Sequence, residues 1–157
     1  MISRGGQAVR FSEKAVRAMG RATEGVIGMK FRGDDEVIEI AIAEDDQDLL
    51  VVTENGFGKR TRIGEYRLTG RGGLGVKTVQ LTEARGKLAG ARVVRDGLHL
   101  MLISTAGTVI RMPVEEVKRL GRATQGVTVM RLRGADEKVS SLALVAEAAD
   151  DEPIDEA

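Results

Sequence analysis

Residues 56–76 read GFGKRTRIGEYRLTGRGGLGV, and the same pattern of glycines and arginines occurs again in residues 6–26 and 107–127. In each copy an arginine follows the first glycine by 4 residues, and another glycine follows it by 14. That second glycine is followed at once by an arginine, and each copy closes with a Gly-Val pair. A period of about 50 residues with fixed internal spacing is typical of an array of similar supersecondary units. We therefore expect a function that an array can perform.

Each unit has the same predicted order of short strands and turns. An apolar run such as Leu49–Thr53 or Leu98–Thr105 ends at a turn containing glycine, and a second short strand follows it. A segment of turn or weak helical character leads into the glycine loop, after which two more strand-like runs complete the unit. These later runs are 26–31, 76–81 and 127–132, and then 37–43, 88–94 and 139–145. Four short strands per unit predict an all-β fold, an array of about three four-stranded blades.

The pattern also predicts the organisation of the chain. The units occupy about residues 1–46, 47–96 and 97–146, and residues 147–157 have the low hydrophobicity and high charge of an acidic disordered tail. The first unit begins inside its opening strand, because Met1-Ile2-Ser3 aligns with Val51-Val52-Thr53. We expect the chain to be the last part of a longer array.

The net charge of zero conceals an uneven distribution of charge. All 24 lysines and arginines precede residue 139, whereas six acidic residues lie in the last twelve residues. The body therefore carries an excess of six positive charges. A basic body with an acidic end predicts a polyanionic partner and a built-in competitor for it, although the tail could equally be a solubilising end.

Cations recur at the same places in successive units, which predicts a basic stripe along the array. Three columns run through all three units: Arg10, Arg60 and Arg111; Arg17, Arg67 and Lys118; and Arg21, Arg71 and Arg122. A fourth column has Lys30 and Arg131 in the outer units and Lys77 near the equivalent place in the middle one. The candidate DNA-binding residues are Arg10, Arg17, Arg21, Lys30, Arg60, Arg67, Arg71, Lys77, Arg111, Lys118, Arg122 and Arg131.

Two explanations of these columns are open. The cations could pair with acids between units, for instance with Glu13, Glu65 or Glu116, but surface ion pairs contribute little and need no fixed register. Phosphates explain the pattern better, because they are regularly spaced and are bound by arginine and by exposed backbone N–H groups. With only four aromatic residues to stack bases, the chain favours a duplex over a single strand.

Other classes of function are poorly supported. The chain has no cysteine, and its one histidine, His99, lies among apolar residues without a nearby acidic cluster, so no metal or catalytic site is predicted. The segment Gly70–Gly75 matches the Gly-x-Gly-x-x-Gly fingerprint for dinucleotides, but a strand-like run follows it where a helix is required. No apolar run approaches the roughly 20 residues of a membrane span.

The Gly-Arg-x-x-x-Gly-Val loop at Gly20–Val26 and Gly121–Val127 resembles that of the C-terminal domain of the DNA gyrase A subunit. The resemblance covers roughly residues 1–145 and implies a β-pinwheel, a disc of blades whose basic rim wraps duplex DNA in support of ATP-dependent negative supercoiling. That family's hallmark box, Gln-Arg-Arg-Gly-Gly-Lys-Gly, is matched in part by the loop that begins at Gly70, which keeps Arg71, Gly72, Gly73 and Gly75.

The resemblance also implies what this chain lacks. Cleavage and ATP hydrolysis belong to other parts of the holoenzyme, so no catalysis and no cofactor are expected here, ATP and Mg²⁺ being bound elsewhere. The implied partners are duplex DNA, the rest of the gyrase A subunit and the gyrase B subunit, and the implied location is the cytoplasm, at the nucleoid. Two alternatives remain: the related domain of the topoisomerase IV A subunit, and a propeller-like module for protein interaction.

Overall fold

The computed structural model describes residues 1–146, which form eleven short strands and three single turns of 3₁₀ helix. The 3₁₀ turns are Glu13–Ala15, Ile63–Glu65 and Val114–Glu116. The strands are β1 (Ile2–Ser3), β2 (Gln7–Ala8), β3 (Val37–Glu39), β4 (Asp48–Thr53), β5 (Phe57–Arg62), β6 (Val76–Lys77), β7 (Leu88–Val94), β8 (Leu98–Ser104), β9 (Val109–Pro113), β10 (Val127–Thr128) and β11 (Val139–Ala146).

The strands form three antiparallel sheets, which are the blades. Their orders are β3-β1-β2-β6, β10-β5-β4-β7 and β11-β8-β9. The first two blades have the predicted four strands, whereas the third has three within the described residues. The all-β prediction is therefore confirmed, although the last blade has one strand fewer than predicted within the described residues.

The outer strand of a blade comes from the next repeat, which the spacing of the repeats does not predict. Strand β6 of the second repeat pairs with β2 of the first, and β10 of the third repeat pairs with β5 of the second. The placement of all four strands within one unit is therefore wrong. The glycine loop carries the chain across to the preceding blade before it returns to its own.

Several predicted runs are shorter in the structure than the sequence pattern indicates. The run 26–31 forms no strand, and only an isolated bridge between Met29 and Gly73 is present there. The equivalent runs in the other repeats contribute two paired residues each, in β6 and β10. The predicted acidic tail, residues 147–157, lies outside the described residues.

Apolar side chains fill the two spaces between neighbouring blades. Strand β4 is buried along its whole length because it serves both cores. Leu49 and Val51 belong to the core shared with the first blade, while Leu50 and Val52 belong to the core shared with the third. Alternate side chains of a strand point to opposite faces, so the continuous apolar run of β4 reflects burial of both faces.

A buried cluster of one carboxylate and two arginines also links the second blade to the third repeat. The Arg60 guanidinium contacts the Asp48 carboxylate at 2.9 Å and donates a hydrogen bond of 2.7 Å to the Val117 carbonyl. Arg119 donates to the same carboxylate oxygen at 2.7 Å. Arg60 and Asp48 are only 6% and 4% exposed. Because two arginines neutralise the buried Asp48 carboxylate, loss of either one leaves a buried negative charge with a single partner.

We predict that Arg60→Met destabilises the chain by about 3 kcal/mol, because it deprives the buried Asp48 of one of its two cations. Arg67→Met makes the same chemical change at an exposed position and should alter stability by less than about 0.5 kcal/mol. Urea denaturation of both variants checks this. Equal, small effects would show that the buried Arg60 side chain, which contacts Asp48 and the Val117 carbonyl, does not stabilise the fold.

Candidate nucleic-acid interface

The glycine loops cross between blades at points where only glycine fits. Gly75 and Gly126 both have φ near +79°, a conformation that side chains disfavour. A Cβ on Gly75 would lie 2.5 Å from the Ala8 carbonyl oxygen, and one on Gly126 would lie 2.8 Å from that of Gly58. At Gly75 and Gly126 the glycine is thus required by the close approach of the next repeat to the preceding blade.

The arginine after each loop glycine anchors the loop in two of the three repeats. Arg71 donates to the carbonyls of Ile27 at 2.5 Å and Ala15 at 3.1 Å, and Arg122 donates to the carbonyl of Lys77 at 3.1 Å. Ile27 and Lys77 occupy equivalent places in successive repeats. The two guanidinium groups therefore make the same contact with the preceding repeat and remain partly exposed beside it.

Lys59 anchors the glycine loop of the third repeat through its side chain, a role that the sequence did not predict. Its Nζ atom donates to the Gly121 carbonyl at 2.6 Å, to the Arg122 carbonyl, and to Thr124 Oγ1 at 3.0 Å. The side chain is completely buried, and this burial lowers its pKa to about 8, against the raising effect of the Glu65 charge. The equivalent residues, Val9 and Ile110, are apolar, so no repeated signal marked this lysine.

The column of Arg10, Arg60 and Arg111 faces the joints between blades in the first two repeats only. Arg10 donates to the Ile63 and Tyr66 carbonyls and pairs with Asp45 at 2.6 Å. One repeat later Arg60 makes similar contacts, since it donates to the Val117 and Glu115 carbonyls and lies 3.5 Å from Asp96. Arg111 is exposed, and its Nε atom donates to His99 Nδ1 at 3.2 Å.

The column before the loop glycine is turned to solvent. Arg17, Arg67 and Lys118 are all exposed. Within residues 1–146 no ion pair joins any of them to Glu13, Glu65 or Glu116. Pairing between units therefore does not account for this column in the described part of the chain.

Further cations enlarge the basic surface beside the loops. Arg21, Lys30 and Arg131 are exposed, and exposed Lys77 donates to Gln80 Oε1 at 2.9 Å. An open groove of about 630 Å³ at the first blade is lined by basic side chains together with Asp34 and Asp35. Its cations are Arg4, Lys30, Arg32, Lys77 and Lys87. Arg4, Arg32 and Lys87 were not predicted from the sequence because they do not recur in every repeat.

The box-like segment at 70–75 is open at Gly70, whereas Gly72 N–H donates to the Gly28 carbonyl and the Gly73 carbonyl accepts from Lys30 N–H. A Cβ on Gly70 would meet no atom within 4 Å, and the same holds at Gly20 in the first repeat. Strand β6 follows the segment, so the helix that a dinucleotide fingerprint requires is not formed there. Open glycines of this kind leave backbone N–H groups accessible to an anion.

Within residues 1–146 the structure has no cluster of three or more potential metal ligands. None of the helical turns in the same range is long and apolar enough to cross a membrane.

The family model described as "DNA gyrase C-terminal domain, beta-propeller" matches residues 1–44, 47–95 and 98–146. The chain belongs to this family. It is 44% identical over 155 residues to the DNA gyrase A subunit of Salmonella typhimurium, covering 99% of this chain and 18% of that protein. Over 142 residues it is 43% identical to the DNA gyrase A subunit of Mycolicibacterium smegmatis, covering 89% of this chain and 17% of that protein.

Solved structures of related domains have the same fold. A structure of the DNA gyrase A C-terminal domain matches with a TM-score of 0.83 and 26% identity, covering 91% of this chain and 48% of that one. The C-terminal domain of DNA topoisomerase IV matches with a TM-score of 0.85 and 22% identity over 92% of this chain and 45% of that one. The second likeness is one of fold alone. The chain spans less than a fifth of the length of the curated gyrase relatives that it matches.

We predict that the chain becomes more stable as the pH rises from 7 to 9.5, because of Lys59. Its pKa is lowered to about 8 in the folded state, so the unfolded state binds more protons in this range and stability increases with pH. The gain from this group is about 2 kcal/mol. Urea denaturation at several pH values should show it in the parent chain.

Two variants isolate the effect of this lysine. Lys59→Met should remove most of the rise and leave only the contribution of the N-terminal amine, whose pKa is also lowered by burial, whereas Lys118→Met, at an exposed lysine, should retain the full rise. The upper limit of 9.5 avoids Tyr66, whose pKa is raised by burial and whose ionisation would lower stability at higher pH. Parallel pH profiles for the parent and Lys59→Met would contradict the assignment.

Proposed function

We propose that this chain binds duplex DNA without sequence preference and wraps it along the outer rim of the blades. The gyrase A relatives and the repeated, exposed cations support this function. The observation that supports DNA binding most directly is the column of Arg17, Arg67 and Lys118, which lies at the same place in every repeat. Cations at a regular interval along a curved array match a regularly charged polymer better than they match a compact partner.

The contacts in this proposal are made to phosphates rather than to bases. Arginine side chains and exposed backbone N–H groups of the glycine loops are donors that phosphate oxygens accept. The strands that follow the glycine loops, β6 and β10, are only two residues long, which is too short to read base edges in a major groove. Binding of this kind positions DNA on the protein and is independent of its sequence.

A duplex is also favoured over a single strand because two of the four aromatic side chains already make contacts within the protein. Tyr66 is buried, and its hydroxyl forms a hydrogen bond with Thr78 Oγ1. The Phe57 ring is covered by the Arg85 guanidinium, whose carbon lies 4.5 Å from the ring centroid. Neither ring is open to stack on a base, which is how non-specific binders of single strands gain affinity.

In its larger context the chain serves as the DNA-wrapping part of a DNA gyrase. On this proposal it acts with the rest of the A subunit and with the B subunit in ATP-dependent negative supercoiling, in the cytoplasm at the nucleoid. The chain itself binds no cofactor, because cleavage and ATP hydrolysis take place in other parts of the enzyme.

We predict that affinity for duplex DNA falls steeply with salt, because each neutralised phosphate contributes about 0.9 to the slope of log affinity against log salt. Replacing Arg17, Arg67 and Lys118 together with alanine should reduce the slope by about 2.7. The loss should be the same for unrelated duplex sequences. Fluorescence anisotropy across a salt series measures both quantities.

Two controls separate phosphate contact from general charge. Arg17→Lys with Arg67→Lys should keep the slope, because lysine also contacts phosphate as a point charge. Arg60→Met removes a buried cation and should leave the slope of the folded chain unchanged. A parent slope near zero would refute DNA binding and favour the protein-interaction module.

We predict that the chain also changes the path of the DNA. Sealing nicked circular DNA with ligase in the presence of the chain should shift the linking number in one direction, because a wrapped duplex traps writhe of one sign. Gel separation of the sealed topoisomers measures the shift. Strong, salt-dependent binding without a shift would favour the weaker bending that distinguishes the topoisomerase IV alternative.

A further inference from the structure

The two joints between consecutive repeats have the same backbone contacts, so their side chains can be compared place by place. At the first joint, β6 pairs with β2, and Thr78 N–H donates to the Gly6 carbonyl at 2.9 Å. At the second joint, β10 pairs with β5, and Val129 N–H donates to the Gly56 carbonyl at 2.8 Å. Differences between the joints therefore come from the side chains that each pair of repeats supplies.

Groups of the protein hold two cations at the second joint. The Arg85 guanidinium lies over the Phe57 ring, and its Nε atom donates to the Gln125 carbonyl at 3.2 Å. Lys138 Nζ donates to Asn55 Oδ1 at 2.5 Å. Neither cation needs a partner from outside the protein.

The first joint lacks the groups that hold those cations. Gln7 takes the place of Phe57, and Gly5 takes that of Asn55, so neither the ring nor the amide is present. The open groove of about 630 Å³ described above lies beside this joint. We call it the basic groove, and its cations are Arg4, Lys30, Arg32, Lys77 and Lys87.

The charge of the basic groove does not recur at the second joint. The places of its five cations are taken there by Glu54, Gln80, Thr82, Thr128 and Lys138. Only the last of these is a cation, and Asn55 binds it. This concentration of positive charge therefore distinguishes the first joint from the second.

Most cations of the basic groove have no anionic partner in the described part of the chain. No ion pair within residues 1–146 includes Lys30, Arg32 or Lys87. Lys77 donates to the neutral amide of Gln80 at 2.9 Å. These four side chains are all exposed, so an anion from solution can reach them.

Nearby carboxylates offset part of this charge. Arg4 pairs with Glu36 at 2.6 Å. Asp35 accepts hydrogen bonds from the N–H groups of Gly5 at 2.7 Å and Glu36 at 2.9 Å, which hold the turn in place. With Asp34 included, these carboxylates leave the groove an excess of two positive charges. Two phosphodiester groups would balance that excess.

Apolar side chains line the groove between its cations. Phe31 and Leu74 are 39% and 38% exposed there. A cleft with low-dielectric walls and charges of one sign concentrates the electric field and draws in anions, and lysine and arginine are ordinary phosphate ligands. The phosphates of a duplex are well placed to enter, because Leu74 and Gly75 end the loop that carries the exposed Arg67.

We propose that the basic groove binds phosphates of the wrapped duplex, so that DNA is attached more strongly at the first joint than at the second. The proposal rests on DNA binding by the rim of the blades. Arg85 and Lys138 make no such contact, because the protein already binds them. The contact is independent of base sequence, since it is made to phosphates.

Matched pairs of substitutions test the difference between the joints. Arg32→Gln with Lys87→Gln should lower the slope of log affinity against log salt by about 1.8, because each lost phosphate contact contributes about 0.9. Arg85→Gln with Lys138→Gln removes two cations at the second joint and should leave the slope of the folded chain unchanged. Fluorescence anisotropy across a salt series measures the slopes, and urea denaturation establishes that both variants are folded.

The same comparison separates the groove from DNA binding itself. A steep slope in the parent chain, with equal slopes in the two double variants, would overturn the groove contact and leave DNA binding in place. A parent slope near zero would overturn both.

Acetylation of lysines in the unmodified chain, followed by mass spectrometry, gives a test that does not depend on substitutions. Duplex DNA should slow the acetylation of Lys30 and Lys87 and leave that of Lys138 unchanged. Inorganic tripolyphosphate at the same ionic strength provides the comparison with a free anion. Protection of Lys30 and Lys87 by tripolyphosphate but not by DNA would assign the groove to a free anion and overturn the proposal, as would equal protection of all three lysines by DNA.

Discussion

The pairing of β6 with β2, and of β10 with β5, supports the rest of the structure because it makes each complete blade depend on two repeats. Strands of two residues would not be stable alone, since an isolated short hairpin is marginal in water. Here they are placed by the loops on either side, which the neighbouring repeat holds through backbone bonds and arginine contacts. Local stability is therefore a property of joints more than of single blades, as in other quasi-one-dimensional arrays.

This arrangement divides the arginines into two groups with different physical roles. Those at the joints donate to carbonyl groups and carboxylates, and Arg60 does so in nearly complete burial. Arg17 and Arg67 recur with the same regularity but extend into solvent. Regular spacing alone cannot separate the groups, because a contact between successive blades has the same period as a contact with successive phosphates. Burial separates them.

The sequence was sufficient to predict the number of repeats, the all-β class and the run of apolar residues in β4. Glycine spacing carried that information, because positive φ and close backbone approach demand glycine wherever the joint recurs. The exchange of outer strands was not predictable in this way, since Val76 has the character of a strand residue whichever blade it joins. Lys59 was not predictable either: it occurs in one repeat only, and burial of a lysine is visible only once its three oxygen partners are placed.

The joint and the basic surface are mechanically connected through the loop between residues 67 and 75. Its exposed cation, Arg67, lies four residues before Arg71, which fixes the loop to the preceding repeat. A phosphate bound at Arg67 therefore acts on a segment whose far end is part of another blade. The same connection recurs at residues 118–126. Bound DNA would therefore exert force on each successive contact between blades. The curvature of a wrapped duplex would then be set by the angle between blades, which the packed cores and the contacts of Arg60 with the Val117 carbonyl and of Arg119 with Asp48 hold fixed.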